Sequence, residues 1–158
     1  MSIKQIEIIP LVSAGDIWLG MERSEARQLL GKHKEYRQFP NDENTIDAFD
    51  FCHVAYTADN LVEFVMLHDF VNLQVYYNKQ RLDNMSQSEL ISFFYDLDED
   101  IDIESYTKGE IVGIVSFESN KLGVAAYWER DVEYLEDGSE IWQDKLASIS
   151  VAIRDYWK

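Results

Sequence analysis

The chain has 158 residues, of which 30 are acidic and 14 are basic, so its formal net charge is −16. This length suits one compact domain, or two small repeats that share a core. Because 46% of the residues are hydrophobic, the chain can bury a core, which excludes wholesale disorder. The acidic balance argues against nucleic acid or an anionic membrane as a partner, since binding to phosphate groups depends on Lys and Arg.

Cysteine content and the N-terminal sequence predict a cytoplasmic protein. The single cysteine, Cys52, cannot form an intrachain disulfide, which is typical of a reducing compartment. Glu7 and Asp16 interrupt the apolar residues near the N-terminus, so we expect no export signal. No stretch of the sequence reaches the ~18 apolar residues needed to span a membrane.

The first predicted elements are a helix followed by strands. Ala26, Leu29 and Leu30 fall on one face of a helix over residues 21–30, and Gly31 is a suitable stop. Strand-like runs follow at 51–57, 61–67 and 71–77. The connections between these runs are short, so we expect the strands to be antiparallel neighbours.

The second half of the chain repeats this plan. A helix is predicted over residues 85–94, where Ser86 and Glu89 have the spacing of a capping box. Strands are predicted at 110–117, 122–128 and 146–153, the first two joined by a turn at Ser119 and Asn120.

The two predicted helices have similar sequences. Residues 21–30 and 85–94 share Met, Ser, Glu and two terminal apolar positions in register. This similarity indicates an internal duplication, with repeats at 15–80 and 81–158, although so short a match can also arise by chance. We therefore predict an α+β fold in which helices pack on an antiparallel sheet. Residues 1–158 form one compact domain, with a tandem helix-plus-meander repeat as the more specific option.

One face of the predicted sheet combines aromatic and polar side chains. Strand alternation separates it from an apolar face that includes Cys52 and Val54. Large aromatics beside polar groups are typical of a protein contact surface, and the alternative is an ordinary solvated face. The polar and aromatic residues on this face are His53, Gln74, Tyr76, Tyr127, Glu129 and Arg154, and all of them except Arg154 are candidate contact residues.

A dense acidic run occupies residues 96–104. It is either a solvated loop, a docking patch for a basic partner, or a calcium loop. The calcium pattern fails where Ile101 replaces the required Gly and Thr107 replaces the required Glu. As a docking patch, the run contributes six candidate residues: Asp96, Asp98, Glu99, Asp100, Asp102 and Glu104. A second acidic stretch over 129–140 adds Asp131, either as part of an interface or as a loop with buried aromatics.

Residues for metal, cofactor or nucleophilic chemistry are not arranged in a known motif. His33, His53 and His68 lack the close spacing of metal ligands, and no phosphate-cradling glycine motif occurs. Cys52 lies on the apolar side of its strand, which favours a buried, inert thiol. We therefore predict no cofactor, no metal and no catalytic residue.

The first helix resembles a known group. Gly20-Met21, Ala26 and Leu29-Leu30-Gly31 are similar to the opening helix of the β-lactamase-inhibitor-like and outer-membrane-assembly lipoprotein group. The resemblance implies a helix followed by antiparallel strands. It also implies, as in the inhibitor itself, a tandem pair of such units with an aromatic-rich sheet face that grips an enzyme. In size and charge the chain also resembles the acidic cytosolic immunity proteins of bacterial toxin systems.

These observations lead to one preferred hypothesis and two alternatives. We expect a non-enzymatic immunity protein that occludes the active site of a cognate basic toxin, for example a nuclease. One alternative is a metal-dependent hydrolase that uses Asp96, Asp98 and Asp100. The other is a structural or regulatory adaptor, with a second copy of the chain bound through an open sheet edge.

Overall fold

The computed structural model describes residues 3–108 and 111–158, and strands predominate in it. About 48% of the chain is strand and two helices are present, so the predicted combination of helices and antiparallel sheet holds, although the fold is mostly β. In chain order the elements are β1 (Lys4–Ile9), β2 (Ser13–Ala14), β3 (Ile17–Trp18), α1 (Arg23–Leu30), β4 (Lys34–Tyr36), β5 (Ile46–Ala48), β6 (Cys52–Tyr56), β7 (Val62–Leu67), β8 (Leu73–Tyr77), β9 (Gln80–Arg81), α2 (Gln87–Tyr95), β10 (Asp102–Lys108), β11 (Ile111–Ser119), β12 (Val124–Tyr134) and β13 (Glu140–Ala152).

The strands form two sheets. The larger sheet is antiparallel, with the order β10-β11-β12-β13-β7-β6-β5-β4. The smaller has the order β3-β2-β1-β8-β9, and its β1 and β8 are parallel, with Lys4 opposite Leu73 and Glu7 opposite Tyr76. The prediction that β8 pairs with the preceding strand was therefore wrong. The edge of β7 that β8 would need is occupied by β13, while β1, which the sequence did not reveal as a strand, offers β8 a partner.

The predicted elements agree with the structure best near the helices. Both helices are present, and the capping box is confirmed because the Ser86 side chain accepts from the Glu89 amide while the Glu89 side chain accepts from the Ser86 amide. The first strand predicted in the second half begins at Glu110, which lies outside the described residues. The last two strands are longer than predicted, because the acidic stretch 129–140 is a β-hairpin, closed by a turn in which the Leu135 amide donates to the Ser139 carbonyl.

Both helices and the smaller sheet bury their apolar residues against one face of the larger sheet, which we call the core face. From α2, Phe94 packs on Phe117 of β11, and Phe117 in turn packs on Trp128 of β12, with ring centroids 5.3 and 5.9 Å apart. Ala26 is the fully buried residue of α1. This one-sided packing leaves the opposite side of the larger sheet, the open face, turned away from the helices.

The larger sheet consists of two four-stranded meanders joined at β7 and β13, and each meander follows one helix. The register at this junction is centred on Met66 opposite Ser150. Three positions before Met66 and Ser150, β7 and β13 each contain one extra residue relative to their neighbouring strand, Glu63 in β7 and Ala147 in β13. The helix-plus-meander units therefore correspond strand by strand. Their origin by duplication of one ancestral unit stays a prediction.

Candidate partner-binding site

The open face is built from two rows of side chains that cross the larger sheet. Residues of β11 such as Phe117 point to the core, so their neighbours Ser116 and Glu118 point to the open face. The strand register extends these two positions into rows. One row comprises Asp102, Glu118, Ala125, Ser150, Met66, His53, Ala48 and Lys34, and the other comprises Glu104, Ser116, Tyr127 and Ser148.

Three carboxylates lie together at one end of the open face, and we call them the acidic corner. Asp102 and Glu104 of β10 are exposed, while Glu118 of β11 is half-buried directly opposite Asp102. Burial raises the pKa of Glu118, and the negative charges of Asp102 and Glu104 raise it further. The register places Asp102 opposite Glu118 and Glu104 two residues further along the same side of β10, so the corner presents a concentrated negative potential. A cation placed there would relieve the repulsion.

The centre of the open face consists of small, nearly buried serine side chains around one exposed aromatic ring. Ser116, Ser148 and Ser150 are 9%, 7% and 5% exposed, whereas Tyr127, paired with both Ser116 and Ser148, is 45% exposed. A tyrosine that stands above small side chains offers a large contact area with little conformational entropy to lose. Ser116 separates Tyr127 from Glu104 in the register, and Glu118 is the diagonal neighbour of Tyr127 on the adjacent strand, so the ring lies next to the acidic corner.

The other end of the open face carries a histidine cluster. His53 Nδ1 and the Tyr36 hydroxyl are hydrogen-bonded at 2.6 Å, and the rings of His53 and His68 meet edge to face, 4.9 Å apart. Burial lowers the pKa of His53, and positive charge on His68 would lower it further. Both effects favour the neutral form of His53. One end of the open face therefore carries carboxylates, and the other carries imidazole rings.

The structure does not bring all the predicted contact residues together. Gln74 and Tyr76 lie in β8 of the smaller sheet, where the Tyr76 hydroxyl donates to Gln74 Oε1 at 3.1 Å, so they do not share a face with His53 and Tyr127. The prediction of a single mixed face that contains all of these residues was therefore wrong, because β8 pairs with β1 and not with a strand of the larger sheet. Arg154 is exposed, just beyond the end of β13.

The predicted acidic run divides into four environments. Asp96 is the C-cap of α2, Glu99 and Asp100 are exposed, and Asp102 and Glu104 belong to β10. Asp98 is only 4% exposed. Its carboxylate accepts hydrogen bonds from the Ser119 hydroxyl at 2.6 Å and the Asp100 amide at 3.0 Å. The prediction that Asp98 contacts a partner was therefore wrong, because this carboxylate is buried and joins the α2–β10 connection to β11.

A cleft separates two hairpins beside the acidic corner, and we call it the inter-hairpin cleft. The β11–β12 pairing ends at Ser116 opposite Tyr127, beyond which the β10–β11 and β12–β13 hairpins continue separately. The resulting cavity has a volume of about 630 Å³. Its lining residues are Tyr106, Thr107, Val115, Tyr127, Trp128, Glu129, Arg130 and Asp144. Glu129 and the neighbouring Asp131, both predicted contact residues, are exposed.

Arg130 connects the two hairpins across this cleft. Its guanidinium carbon lies 3.4 Å from the centre of the Tyr106 ring and 4.1 Å from the centre of the Trp142 ring. Tyr106 lies directly over Gly113 of β11, where any Cβ would overlap the ring. Sequence reasoning missed both Arg130 and Glu118. Alternation along 124–134 could have indicated a strand there, but the facing residues follow only from the register.

A second polar cluster fixes α1 to the larger sheet. Asp47 of β5 is fully buried, and its oxygens accept hydrogen bonds from Arg23, Arg27 and the Tyr56 hydroxyl. Burial alone would raise the pKa of Asp47, but these hydrogen bonds outweigh burial and hold the pKa well below its ordinary value. Hydrogen bonds to Asp47 in turn raise the pKa of Arg27. The cluster is a buried ion-pair network.

His33, Glu35 and Asp47 also place potential metal-ligand atoms within 4.8 Å of one another. A cation there would compete with two guanidinium groups for the oxygens of Asp47, since Arg23 and Arg27 lie 2.9 and 2.8 Å from them. Glu35 likewise accepts a hydrogen bond from Arg27 at 2.7 Å, which lowers the pKa of Glu35. The positive charge that balances these carboxylates is already present, so we assign the group to fixing α1.

Comparison with known proteins found no match to a family model, to a curated protein or to a solved structure. Within residues 3–108 and 111–158, neither helix is long and apolar enough to cross a bilayer. The function must therefore be argued from the acidic corner, Tyr127 and the inter-hairpin cleft.

Proposed function

We propose that this protein is a non-enzymatic, cytoplasmic inhibitor of the immunity type, which binds a cationic toxin and covers its active site. The observation that carries the proposal is the acidic corner, where Asp102, Glu104 and Glu118 lie together on the open face. Grouped carboxylates on a chain of net charge −16 attract a basic partner over long range and accelerate its encounter.

The geometry next to the corner supports a contact surface. Tyr127 lies diagonally next to Glu118 and is half-exposed, so it can bury its ring against a partner whose basic groups pair with the corner. The serines around Tyr127 are almost fully covered by their neighbours, so the Tyr127 ring is the part of this region that a partner can reach. Burial and repulsion by Asp102 and Glu104 raise the pKa of Glu118. Basic groups of a partner would relieve this repulsion, so binding favours the charged form of Glu118.

The arrangement of the sheet supports the tandem-unit hypothesis as well. Two helix-plus-meander units lie side by side, with their last strands, β7 and β13, paired. A tandem pair of such units is what the resemblance to the β-lactamase-inhibitor-like group implies. We propose that the open face is the gripping surface of this protein, as the aromatic-rich sheet face is in that inhibitor. Toxins that act on nucleic acids carry basic clefts, which makes a nuclease the partner class best matched to carboxylates.

The experiment is a binding measurement with the product of the gene adjacent to the gene of this protein. The test variant carries Asp102→Asn, Glu104→Gln and Glu118→Gln. The matched control carries Asp16→Asn, Glu25→Gln and Asp59→Asn, three exposed carboxylates away from the open face. Both variants lose the same charge, so an effect of net charge alone is removed from the comparison.

We expect the test variant to associate with the partner at least about tenfold more slowly than the control, and the difference to shrink at high salt. We also expect the wild-type protein to block the activity of the partner in proportion to the complex formed. Equal association rates for the two variants, or no binding by the wild-type protein, would overturn the proposal.

A further inference from the structure

Arg130 has an unusual environment for a basic side chain in an acidic protein. Its guanidinium lies against the rings of Tyr106 and Trp142, in a cavity of about 630 Å³. Contacts with aromatic rings use the positive charge of the guanidinium and leave its N–H donors without acceptors. The donors of Arg130 therefore need oxygen atoms from elsewhere.

The protein does not supply those oxygen atoms within its described part. Arg130 Nε is buried and has no hydrogen-bond partner, and among residues 3–108 and 111–158 no carboxylate oxygen lies within 4.0 Å of the guanidinium. Asp144 is opposite Arg130 in the register, yet its carboxylate accepts from the Tyr106 hydroxyl at 3.1 Å. A buried donor without an acceptor is unfavourable unless a ligand satisfies it.

We propose that Arg130 binds a carboxylate group in the inter-hairpin cleft, through paired hydrogen bonds to the planar edge of the guanidinium. Arginine and carboxylate match in this way because both groups are flat and offer two donors or two acceptors at the same spacing. The two aromatic rings hold the guanidinium in place, so little side-chain entropy is lost when the ligand binds. The site is a binding site and performs no bond-making step.

The charges lining the cleft restrict the ligand further. Glu129 and Asp144 line the same cavity as Arg130, so a dianionic phosphate would meet two negative charges for each positive one. In a ligand that carries a carboxylate next to a cationic group, the carboxylate can pair with Arg130 while the cationic group lies near Glu129 and Asp144. The ligand class is therefore a peptide or amino acid in which a carboxylate adjoins a basic side chain. This site would bind such a peptide whether or not the open face binds a toxin.

The direct test is an NMR titration that follows the Nε–Hε signal of Arg130 in the wild-type protein. The probes are the dipeptide Arg-Glu, acetate, inorganic phosphate and N-acetyl-arginine amide, which has the cation without the carboxylate. We expect a saturable shift with Arg-Glu, at about tenfold lower concentration than with acetate, and no saturable shift with N-acetyl-arginine amide. Tighter binding of phosphate than of acetate would overturn the assignment to carboxylates.

A pair of variants provides the second test. Arg130→Lys keeps the charge but loses the planar donors, and Arg154→Lys makes the same change at an exposed position. We expect Arg130→Lys to weaken Arg-Glu binding about tenfold or more and Arg154→Lys to leave it unchanged. Equal affinity of both variants, or no saturable shift of Arg130 Nε–Hε with any carboxylate probe, would overturn the proposal. The wild-type titration decides the question even if Arg130→Lys does not fold.

Discussion

Tyr56 and Trp128 occupy corresponding positions in the two halves of the larger sheet. Each is a buried aromatic residue immediately after a bulge, on the third strand of its meander. Two positions before each aromatic residue, the same strand pairs with a residue of the second strand of the meander, and that partner differs in kind between the two halves. In the first half Asp47 pairs with Val54, and in the second half Phe117 pairs with Ala126. One helix is therefore fixed to the sheet by an ion-pair network and the other by stacked aromatic rings.

The ion-pair network predicts a large effect of removing its central charge. Asp47→Asn would leave Arg23 and Arg27 without their shared carboxylate, and we expect it to lower the free energy of unfolding by about 3 kcal/mol. Asp155→Asn, which removes an exposed ion pair with Lys158, is the control and should change it by less than ~1 kcal/mol. Chemical denaturation measures both values, and similar losses in the two variants would contradict the role of Asp47.

The same network predicts acid sensitivity. The pKa of Asp47 is lower in the folded state than in the unfolded state, so its stabilising contribution is present above the unfolded value of about 4. As the pH falls below that value, the unfolded state takes up a proton that the folded state refuses, and stability declines. The stability of Asp47→Asn should decline less over the same interval. Parallel declines measured by urea denaturation would count against this account.

The aromatic cluster predicts a loss through cavity formation. Phe117 is fully buried between Phe94 and Trp128, so Phe117→Leu should lower the free energy of unfolding by about 1–2 kcal/mol and Phe117→Ala by about 4 kcal/mol. Phe39→Ala is the control, since Phe39 is 61% exposed. Thermal and chemical denaturation provide the measurement. A cost at Phe117 no larger than at Phe39 would exclude this packing role.

The histidine cluster predicts a second pH dependence of stability, which arises from a group that folding favours in its neutral form and not, as with Asp47, in its charged form. Burial lowers the pKa of His53, so between the ordinary value of about 6.5 and the folded value the unfolded state binds more protons. Stability should therefore fall as the pH decreases from about 7.5 to about 5.5. In His53→Gln the decline should be smaller, and the NMR titration of His53 should have its midpoint below that of a free histidine. An unchanged decline in the variant would refute this role.

Burial of Cys52 predicts an unreactive thiol. Burial raises the pKa of Cys52 to about 12, and the side chain is fully buried on the core face. At about pH 8 a thiol reagent should react with the native protein only as fast as the protein unfolds, and at once in concentrated guanidinium chloride. Rapid modification of the native protein would show that the thiol is accessible. The predicted burial of Cys52 is confirmed, and its inertness is what this measurement tests.

Local signals in the sequence were sufficient for the helices but not for the sheets. The Ser86 capping box and the alternation of His53 with Cys52 and Val54 predicted features that the structure contains, because both depend on residues close in the chain. The pairing of β8 with β1 depends on which sheet edge is free, and that follows only once β13 has taken the edge of β7.

The candidate site shows the same division. Tyr127 and the two β10 carboxylates were predicted as contact residues from composition and alternation, but Glu118 completes the acidic corner only through its register with Asp102. The buried position of Asp98 depends on its contact with Ser119, which is distant in sequence. Arg130 was missed because a charged residue in an acidic stretch gives no sign of the aromatic rings that the hairpins bring to it.

The most direct test of the proposed function is to map the contact surface by NMR with the product of the adjacent gene. Backbone amide signals are followed as that protein is added. We expect the largest changes at the acidic corner and Tyr127, and little change in α1 and α2. Changes concentrated on the helices, or no change at saturating partner, would contradict the proposed function.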